Sequence, residues 1–119
     1  MVDRLDTIFE RQKLFQTVLN QDLGKLLKGD ELLSSEKELQ RLTKDTVLQL
    51  FSEIHEVLSE VNWKGHKRAF PIDKEKIREE IIDVFHFVVN LCLIWDMDAN
   101  KLYDEFMKKN AKNFERFIK

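Results

Sequence analysis

Apolar residues recur at intervals of three and four along four long segments of this chain, and this spacing constrains the fold more than any other sequence feature. The interval is that of one face of an α-helix. Only 3 glycines and 1 proline occur among 119 residues, and these are too few turn residues for an all-β chain. The sequence therefore predicts an all-α fold, a bundle of four to five helices forming a single domain over residues 1–119.

Capping residues and glycines set the predicted ends of the first two helices. The first is predicted over residues 2–28, where Gly29-Asp30 ends the apolar period. The second is predicted to begin near residues 34–35, because Ser35 and Glu38 form an S-x-x-E capping box. Its apolar period continues to about residue 61.

Aspartates cap the two remaining predicted helices. Asp73 precedes a third helix that continues through Trp95, and Asp98 precedes a fourth over residues 99–118. Residues 62–71 contain Gly65 and the only proline, and they break the helical period. This segment is a short loop with four basic residues, Lys64, His66, Lys67 and Arg68.

The charge balance excludes broad classes of anionic partner. Lys and Arg number 20 and Asp and Glu 22, for a net charge of −2, so no global positive field attracts a nucleic acid polymer or an anionic membrane.

No segment reaches the roughly 20 apolar residues of a membrane span. The amino terminus is charged from its third residue, so we expect no secretory signal there. Cys92 lies alone in an apolar run, which predicts a buried thiol in a cytoplasmic protein.

The third helix is apolar around most of its circumference, which predicts a central position in the bundle. At about 100° per residue, Glu80 and Asp83 flank an apolar direction of this helix and therefore approach the interior. An ionised carboxylate is costly to bury alone, so these two need a cation, a basic side chain or protonation. The other helices of one chain have too little surface to cover a helix that is apolar nearly all round. We therefore also expect a homodimer or homotetramer.

Three acidic residues of the second helix share one face: Glu53, Glu56 and Glu60. This stripe lies roughly 120° from the centre of the apolar face, so it is either a solvated acidic face or the border of a cleft. If the second and third helices pack antiparallel, four carboxylates converge: Glu53, Glu56, Glu80 and Asp83. Four hard oxygen ligands suit magnesium better than zinc, which takes histidine and cysteine ligands that are not clustered here.

The fourth helix places a cation, an amide and a guanidinium on one face: Lys109, Asn113 and Arg116. Such groups fit phosphate oxygens, since arginine offers a bidentate fork and lysine a point charge. The alternative is ordinary helix chemistry, because cations are favoured near a helix C-terminus. Acidic ligands with basic groups elsewhere are typical of magnesium bridging a polyphosphate. The chain has no GxxxxGK[ST] loop, so it is not a P-loop NTPase.

These motifs together resemble the all-α nucleoside triphosphate pyrophosphohydrolases, which include dimeric dUTPases, MazG-like enzymes, dCTP pyrophosphatases and phosphoribosyl-ATP pyrophosphohydrolase. Residues 53–56 and 80–83 resemble the E-x-x-E and E-x-x-D signature of that superfamily. The dimeric dUTPase branch is the most similar. Its motifs F-x-x-Q, W-K, D-x-x-H-F and K-N-x-x-N-x-x-R resemble residues 9–12, 63–64, 83–87 and 109–116. The resemblance covers almost the whole chain.

The resemblance implies a role for each of these groups. The residues implied to bind Mg²⁺, for which Mn²⁺ can substitute, are Glu53, Glu56, Glu80 and Asp83. Glu53 and Glu56 are also the implied catalytic residues, one of which orients or deprotonates the attacking water. The residues implied for the phosphates are Lys64, Lys109, Asn113 and Arg116. Those implied for the base or sugar are Gln12, Trp63, His86 and Asn90.

The activity implied is Mg²⁺-dependent hydrolysis of a deoxynucleoside triphosphate, with dUTP favoured, to the monophosphate and pyrophosphate. Where dimeric dUTPases often carry a second aromatic after W-K, this chain has Gly65, His66 and Lys67. A MazG-like specificity for other or several triphosphates therefore stays open. The alternative from a different class is a helical interaction module whose charges have no catalytic role.

Overall fold

Four helices make up the computed structural model, which describes residues 3–19, 32–65 and 67–117. They are α1 (Arg4–Val18), α2 (Leu32–Ser59), α3 (Lys74–Ile94) and α4 (Ala99–Phe117). No strand occurs within those ranges, so the all-α prediction is confirmed. The predicted stop of the first helix at Gly29-Asp30 lies outside the described residues.

The predicted caps of α3 and α4 are confirmed. The Asp73 carboxylate accepts a hydrogen bond from the Lys76 backbone N–H at 3.1 Å, and Asp98 accepts one from the Lys101 backbone N–H at 2.8 Å. Each aspartate thereby satisfies a backbone donor that has no partner within its helix. Both helices begin at the residue after their capping aspartate.

Two predicted boundaries are wrong. α1 ends at Val18, not at residue 28; Val18 and Leu19 are exposed, so packing gives the helix little support at this end. α2 begins at Leu32, which places Ser35 inside the helix rather than before it. A capping box requires its serine at the position that precedes the helix, and the Glu38 carboxylate instead pairs with Arg41.

α3 is the central helix, since it packs against both α1 and α2. Its C-terminal half contributes Val89 and Cys92 to a core cluster completed by Phe9 of α1 and Ala99 of α4. A second cluster joins Ile94 to Leu39 of α2. Burial of Cys92 confirms that part of the sequence prediction.

Burial follows a seven-residue interval along both α2 and α3. On α2, Leu39 and Thr46 are buried, and Glu53 and Glu60 are half-buried. On α3, Glu80 and Ile94 are buried and Phe87 is half-buried. Leu39 meets Ile94 at one end and Glu53 meets Glu80 at the other, so the helices run antiparallel. We call this contact line the α2–α3 seam; it changes from apolar to acidic along its length.

The seam does not coincide with the apolar face that the sequence predicts for α2, which is made by Val47, Leu50, Ile54, Leu58 and Val61. Ile54 is 45% exposed and Phe51 is 63% exposed, whereas the acidic Glu53 turns toward α3. The apolar flank of α2 is therefore left partly uncovered. α4 is similar, because Ala99 is buried and Leu102 packs against the core, whereas the apolar residues from Tyr103 to Phe117 are exposed, with Phe106 at 60%.

The connection from α3 to α4 is a tight turn that places Asp96 at a φ of 54°. The Met97 N–H donates to the Cys92 carbonyl at 2.7 Å and the Asp96 N–H to the Leu93 carbonyl at 3.2 Å. This pair of bonds is a Schellman motif, in which glycine usually holds the left-handed position. Aspartate here carries a backbone strain that glycine would avoid.

Candidate functional site

Three carboxylates meet at the acidic end of the α2–α3 seam. Glu53 of α2 and Glu80 and Asp83 of α3 each offer one oxygen, and these oxygens lie within 4.8 Å of one another. Glu80 is only 6% exposed. The E-x-x-D spacing places Glu80 and Asp83 on neighbouring positions of α3, and the antiparallel seam brings Glu53 to the same level. We call these three residues the acidic cluster.

The cluster is electrostatically unfavourable by itself. The pKa of the Glu53 carboxyl is raised first by burial. The neighbouring carboxylates raise the same pKa further, in the order Asp83, Glu80 and Glu56. Like charges held this close favour a bound cation or a proton.

The donor set fits a hard divalent cation. All three groups are carboxylates, and Mg²⁺ and Ca²⁺ take oxygen ligands, whereas zinc in proteins favours histidine and cysteine. Within the described part of the chain, this is the one group of three or more acidic, histidine or cysteine side chains close enough to hold a metal ion. The acidic cluster can therefore bind a metal.

Glu56, predicted as a fourth ligand, is not part of the acidic cluster. It lies three residues after Glu53 on an exposed face of α2. Its charge nevertheless contributes to the raised pKa of Glu53, so it lies beside the cluster. At about 100° per residue, an i, i+3 pair diverges by 60°, and the seam turns only one of the two glutamates inward.

Lys76 is a member of this site that the sequence prediction missed. Its ammonium lies 3.0 Å from a carboxylate oxygen of Glu80. The pKa of Lys76 is raised, first by the hydrogen bond and the charge of Glu80 and then by the charges of Glu79 and Glu60. Its position four residues before Glu80 was the available signal, because i and i+4 are neighbours on a helix.

Two of the predicted base-side residues meet in the interior. The Gln12 side-chain N–H donates to the Asn90 side-chain oxygen at 2.8 Å, and both residues are buried. Gln16, one turn after Gln12 on α1, is also buried and was not predicted. Its spacing of four from Gln12 was the signal. His86, one turn before Asn90 on α3, is exposed.

The loop between α2 and α3 forms a pocket of about 280 Å³. Its lining includes the aromatic residues Trp63 and Phe70 and the cations Lys64, Lys67 and Arg68. The Lys64 ammonium lies 5.0 Å from the centre of the Trp63 ring, in reach of a cation–π contact. Among the described residues, none of these three cations forms an ion pair.

The side chain of Asn62 bridges the two ends of this loop. Its amide donates to the Phe70 carbonyl at 3.1 Å, and its oxygen accepts from the Phe70 N–H at 3.0 Å. The lining contains none of the acidic cluster. On α2 it contains His55 and Ser59, which lie roughly 120–160° around the helix from Glu53. The structure therefore does not join Trp63 and Lys64 to the acidic cluster of the same chain.

The predicted phosphate-binding residues of α4 are also separate from the cluster. Lys109, Asn113 and Arg116 are all exposed, and α4 packs against α1. Arg116 lies 5.7 Å from the centre of the Phe117 ring. Within the described residues, no ion pair joins an α4 cation to the acidic cluster.

A family model described as dUTPase matches residues 4–101. The chain belongs to this dUTPase family. The matched range contains the acidic cluster, the Gln12–Asn90 pair and the loop pocket. The predicted phosphate-binding residues of α4, Lys109, Asn113 and Arg116, lie beyond it.

Curated relatives of this dUTPase-family chain include two phage proteins. It is 39% identical over 46 residues to a protein named dCTP pyrophosphatase from Enterobacteria phage T4, which is 39% of this chain and 27% of that protein. It is 36% identical over 58 residues to a protein of the same name from Enterobacteria phage LZ5, or 49% of this chain and 34% of that protein. The match thus spans about a third or less of these relatives. No solved structure gives a significant match.

In the described ranges, this dUTPase-family chain has no helix that is both long enough and apolar enough to cross a membrane.

Proposed function

We propose that this chain is a nucleoside triphosphate pyrophosphohydrolase that cleaves a deoxynucleoside triphosphate to the monophosphate and pyrophosphate. The observation that carries the proposal is the acidic cluster, a convergence of three carboxylates from two helices in a chain of the dUTPase family. Membership of the dUTPase family makes dUTP the first candidate substrate. The names of the phage relatives make dCTP the second candidate.

The cluster is proposed to bind Mg²⁺, with Mn²⁺ able to replace it, through Glu53, Glu80 and Asp83, with Glu56 completing the site. When bound, the divalent cation supplies positive charge that polarises a phosphate group and acidifies a nearby water. Glu53 and Glu56 are the proposed catalytic residues. One of the two orients the attacking water or accepts its proton.

The phosphates are proposed to be held by Lys64, Lys109, Asn113 and Arg116. These side chains neutralise charge on the phosphate oxygens, and the guanidinium of Arg116 can engage two oxygens at once. The proposed base and sugar contacts are Gln12, Trp63, His86 and Asn90. The second polar atoms of the Gln12 and Asn90 amides are an acceptor and a donor, and these complement the polar edge of a pyrimidine.

A homodimer or homotetramer is part of this proposal. The uncovered flanks of α2 and α4 carry Phe51, Ile54 and Phe106, which are 63%, 45% and 60% exposed, and exposed apolar patches often mark protein–protein contacts. A second copy that covers them can also bring the α4 cations near an acidic cluster, which one copy leaves apart. The buried Cys92 thiol supports a reducing, cytoplasmic location, and the net charge of −2 argues against a nucleic acid polymer as the partner.

The test is pyrophosphate release from a panel of dNTPs and NTPs, with Mg²⁺ and separately with Mn²⁺. We expect turnover that falls at least about 100-fold in Glu53→Gln and Asp83→Asn, since each removes a charge that acts in the reaction. Glu75→Gln, which changes an exposed carboxylate in the first turn of α3, is the matched control and should retain activity.

The panel also separates the alternatives. Preference for dUTP supports the dUTPase assignment, preference for dCTP the activity named for the phage relatives, and hydrolysis of many bases a MazG-like specificity. A folded wild-type protein that cleaves no triphosphate with either metal contradicts the proposal and leaves the non-catalytic interaction module.

A further inference from the structure

The cation nearest to the acidic cluster is a side chain of the protein. The Lys76 ammonium lies 3.0 Å from a Glu80 carboxylate oxygen. Glu80 has 8% of its side-chain surface exposed, whereas Lys76 has 45%. A buried carboxylate is thus paired with a lysine whose flexible stem reaches in from solvent, and that lysine can leave without any movement of α3.

Helix chemistry alone does not favour a lysine at this position. Lys76 occupies the first turn of α3, where the helix dipole disfavours a cation. Lysine four residues before a glutamate is also the weaker order of such a pair, since glutamate before lysine is preferred. The contact is better explained by the acidic cluster, because Glu80 shares that cluster with Glu53 and Asp83.

We propose that Lys76 is the resident cation of the acidic cluster and is exchanged for the divalent ion when that ion binds. This inference rests on the proposed function, because the ion's site is the cluster itself. Before the ion arrives, Lys76 neutralises part of the charge and holds Glu80 in place. When the ion binds, the ammonium withdraws toward Glu79, an exposed carboxylate beside it on α3.

The exchange has two coupled consequences. The divalent ion must compete with a tethered cation, so its affinity for the cluster is lower than the three carboxylates alone would give. The metal-free protein, in contrast, is stabilised because buried Glu80 keeps a partner. Removal of the Lys76 charge should therefore tighten metal binding and weaken the metal-free fold, and the two effects are linked by mass action.

The experiment measures Mn²⁺ affinity by titration calorimetry without nucleotide, and thermal unfolding in EDTA and in excess Mn²⁺. The test variant is Lys76→Met, which keeps the apolar stem and removes the charge. Lys76→Arg retains a charge at this position. Lys74→Met is the matched control, since Lys74 is exposed at the start of α3 and forms no ion pair with the described residues. Glu53→Gln reports whether the Mn²⁺ measured is bound at the cluster.

We expect Lys76→Met to bind Mn²⁺ about tenfold more tightly than wild type, consistent with the loss of one nearby charge at partial exposure. Its melting temperature should fall in EDTA and return to that of wild type in Mn²⁺. Lys76→Arg and Lys74→Met should stay close to wild type. If Lys76→Met folds only when Mn²⁺ is added, that result also supports the exchange.

Two outcomes overturn the inference in distinguishable ways. Mn²⁺ binding that depends on Glu53 but has the same affinity in Lys76→Met and wild type removes the role of Lys76 and leaves the metal site intact. Absence of Glu53-dependent Mn²⁺ binding in wild type and in both Lys76 variants removes the metal site, and with it this part of the proposed function. A Lys76→Met protein unfolded with and without Mn²⁺ shows a purely structural lysine and also overturns the exchange.

Discussion

Gln12 and Asn90 are joined by a hydrogen bond of 2.8 Å between two buried amides that are 78 residues apart in the sequence. The bond joins α1 to the C-terminal half of α3, the part of that helix that contributes to the core. Truncation of either residue leaves the other amide buried without this partner, which is the costly way to lose a hydrogen bond.

Gln12→Ala should therefore reduce the free energy of unfolding by about 1–3 kcal/mol. Urea denaturation followed by circular dichroism measures the change. Gln40→Ala removes an exposed amide on α2 and should change stability by no more than about 0.5 kcal/mol. Equal effects of the two substitutions would contradict a structural role for the Gln12–Asn90 bond.

Asp96→Gly should stabilise the fold. Asp96 has a φ of 54° in the turn after α3, and a non-glycine residue pays roughly 1 kcal/mol in this region. Glycine loses more entropy on folding, so we expect a net gain of about 0.5 kcal/mol. Asp96→Ala keeps the strain and should give no such gain. Thermal unfolding of wild type, Asp96→Gly and Asp96→Ala measures these differences in stability. An Asp96→Gly protein less stable than wild type would argue against strain at this turn.

The stability of the metal-free protein should depend on Glu53. Its folded-state pKa is raised, first by burial, so the folded protein holds a proton more tightly than the unfolded chain does. Ionisation of Glu53 thus opposes folding above its folded-state pKa, and this penalty disappears as the pH falls below the pKa of the unfolded chain. In EDTA, Glu53→Gln should have a higher melting temperature than wild type at pH 7, and the difference should shrink toward pH 4.

The same pair of proteins gives an internal control with metal. Excess Mn²⁺ should raise the melting temperature of wild type and leave that of Glu53→Gln nearly unchanged. A Glu53→Gln protein that is less stable than wild type in EDTA at pH 7 would show that the carboxylate is favourably paired without a divalent ion.

The exposed apolar face of α4 provides a test of assembly. Light scattering after size-exclusion chromatography should show wild type as a homodimer or homotetramer, and Phe106→Lys should shift it to the monomer, because a charge cannot be buried unpaired in an apolar contact. Glu115→Lys also adds positive charge to α4 but lies about 180° around the helix from Phe106, and it should retain the wild-type mass. A monomeric wild type would contradict the proposed assembly.

The starts of α3 and α4 could be predicted from sequence because their signals are local. Asp73 and Asp98 each bond to a backbone group three residues away, and such contacts need no knowledge of the rest of the chain. The E-x-x-D spacing of Glu80 and Asp83 is equally local. The end of α1 was not predictable in this way, because an apolar period such as that around Val18 supports a helix only where another element covers it.

The composition of the site depends on contacts that sequence spacing does not specify. The E-x-x-E motif does not distinguish Glu53 from Glu56 as a member of the site. The way α2 is rotated where it packs against α3 turns Glu53 inward. Periodicity placed Gln12 and Asn90 on separate helices without indicating that they bond to each other. The contact of Lys76 with Glu80 could be predicted from their spacing on one helix. Its role at the acidic cluster depends on Glu53, which lies on a different helix.

The α2–α3 seam gives this helix pair unequal ends. Leu39 and Ile94 hold one end by apolar contact, while Glu53 and Glu80 repel each other at the opposite end. The acidic end is also the end at which the loop joins α2 to α3, so the connection and the Asn62–Phe70 hydrogen bonds hold the carboxylates together against their repulsion. Amide hydrogens near Glu53 and Glu80 should exchange faster than those near Leu39 and Ile94 in EDTA, and a cation bound between the carboxylates should slow the faster set.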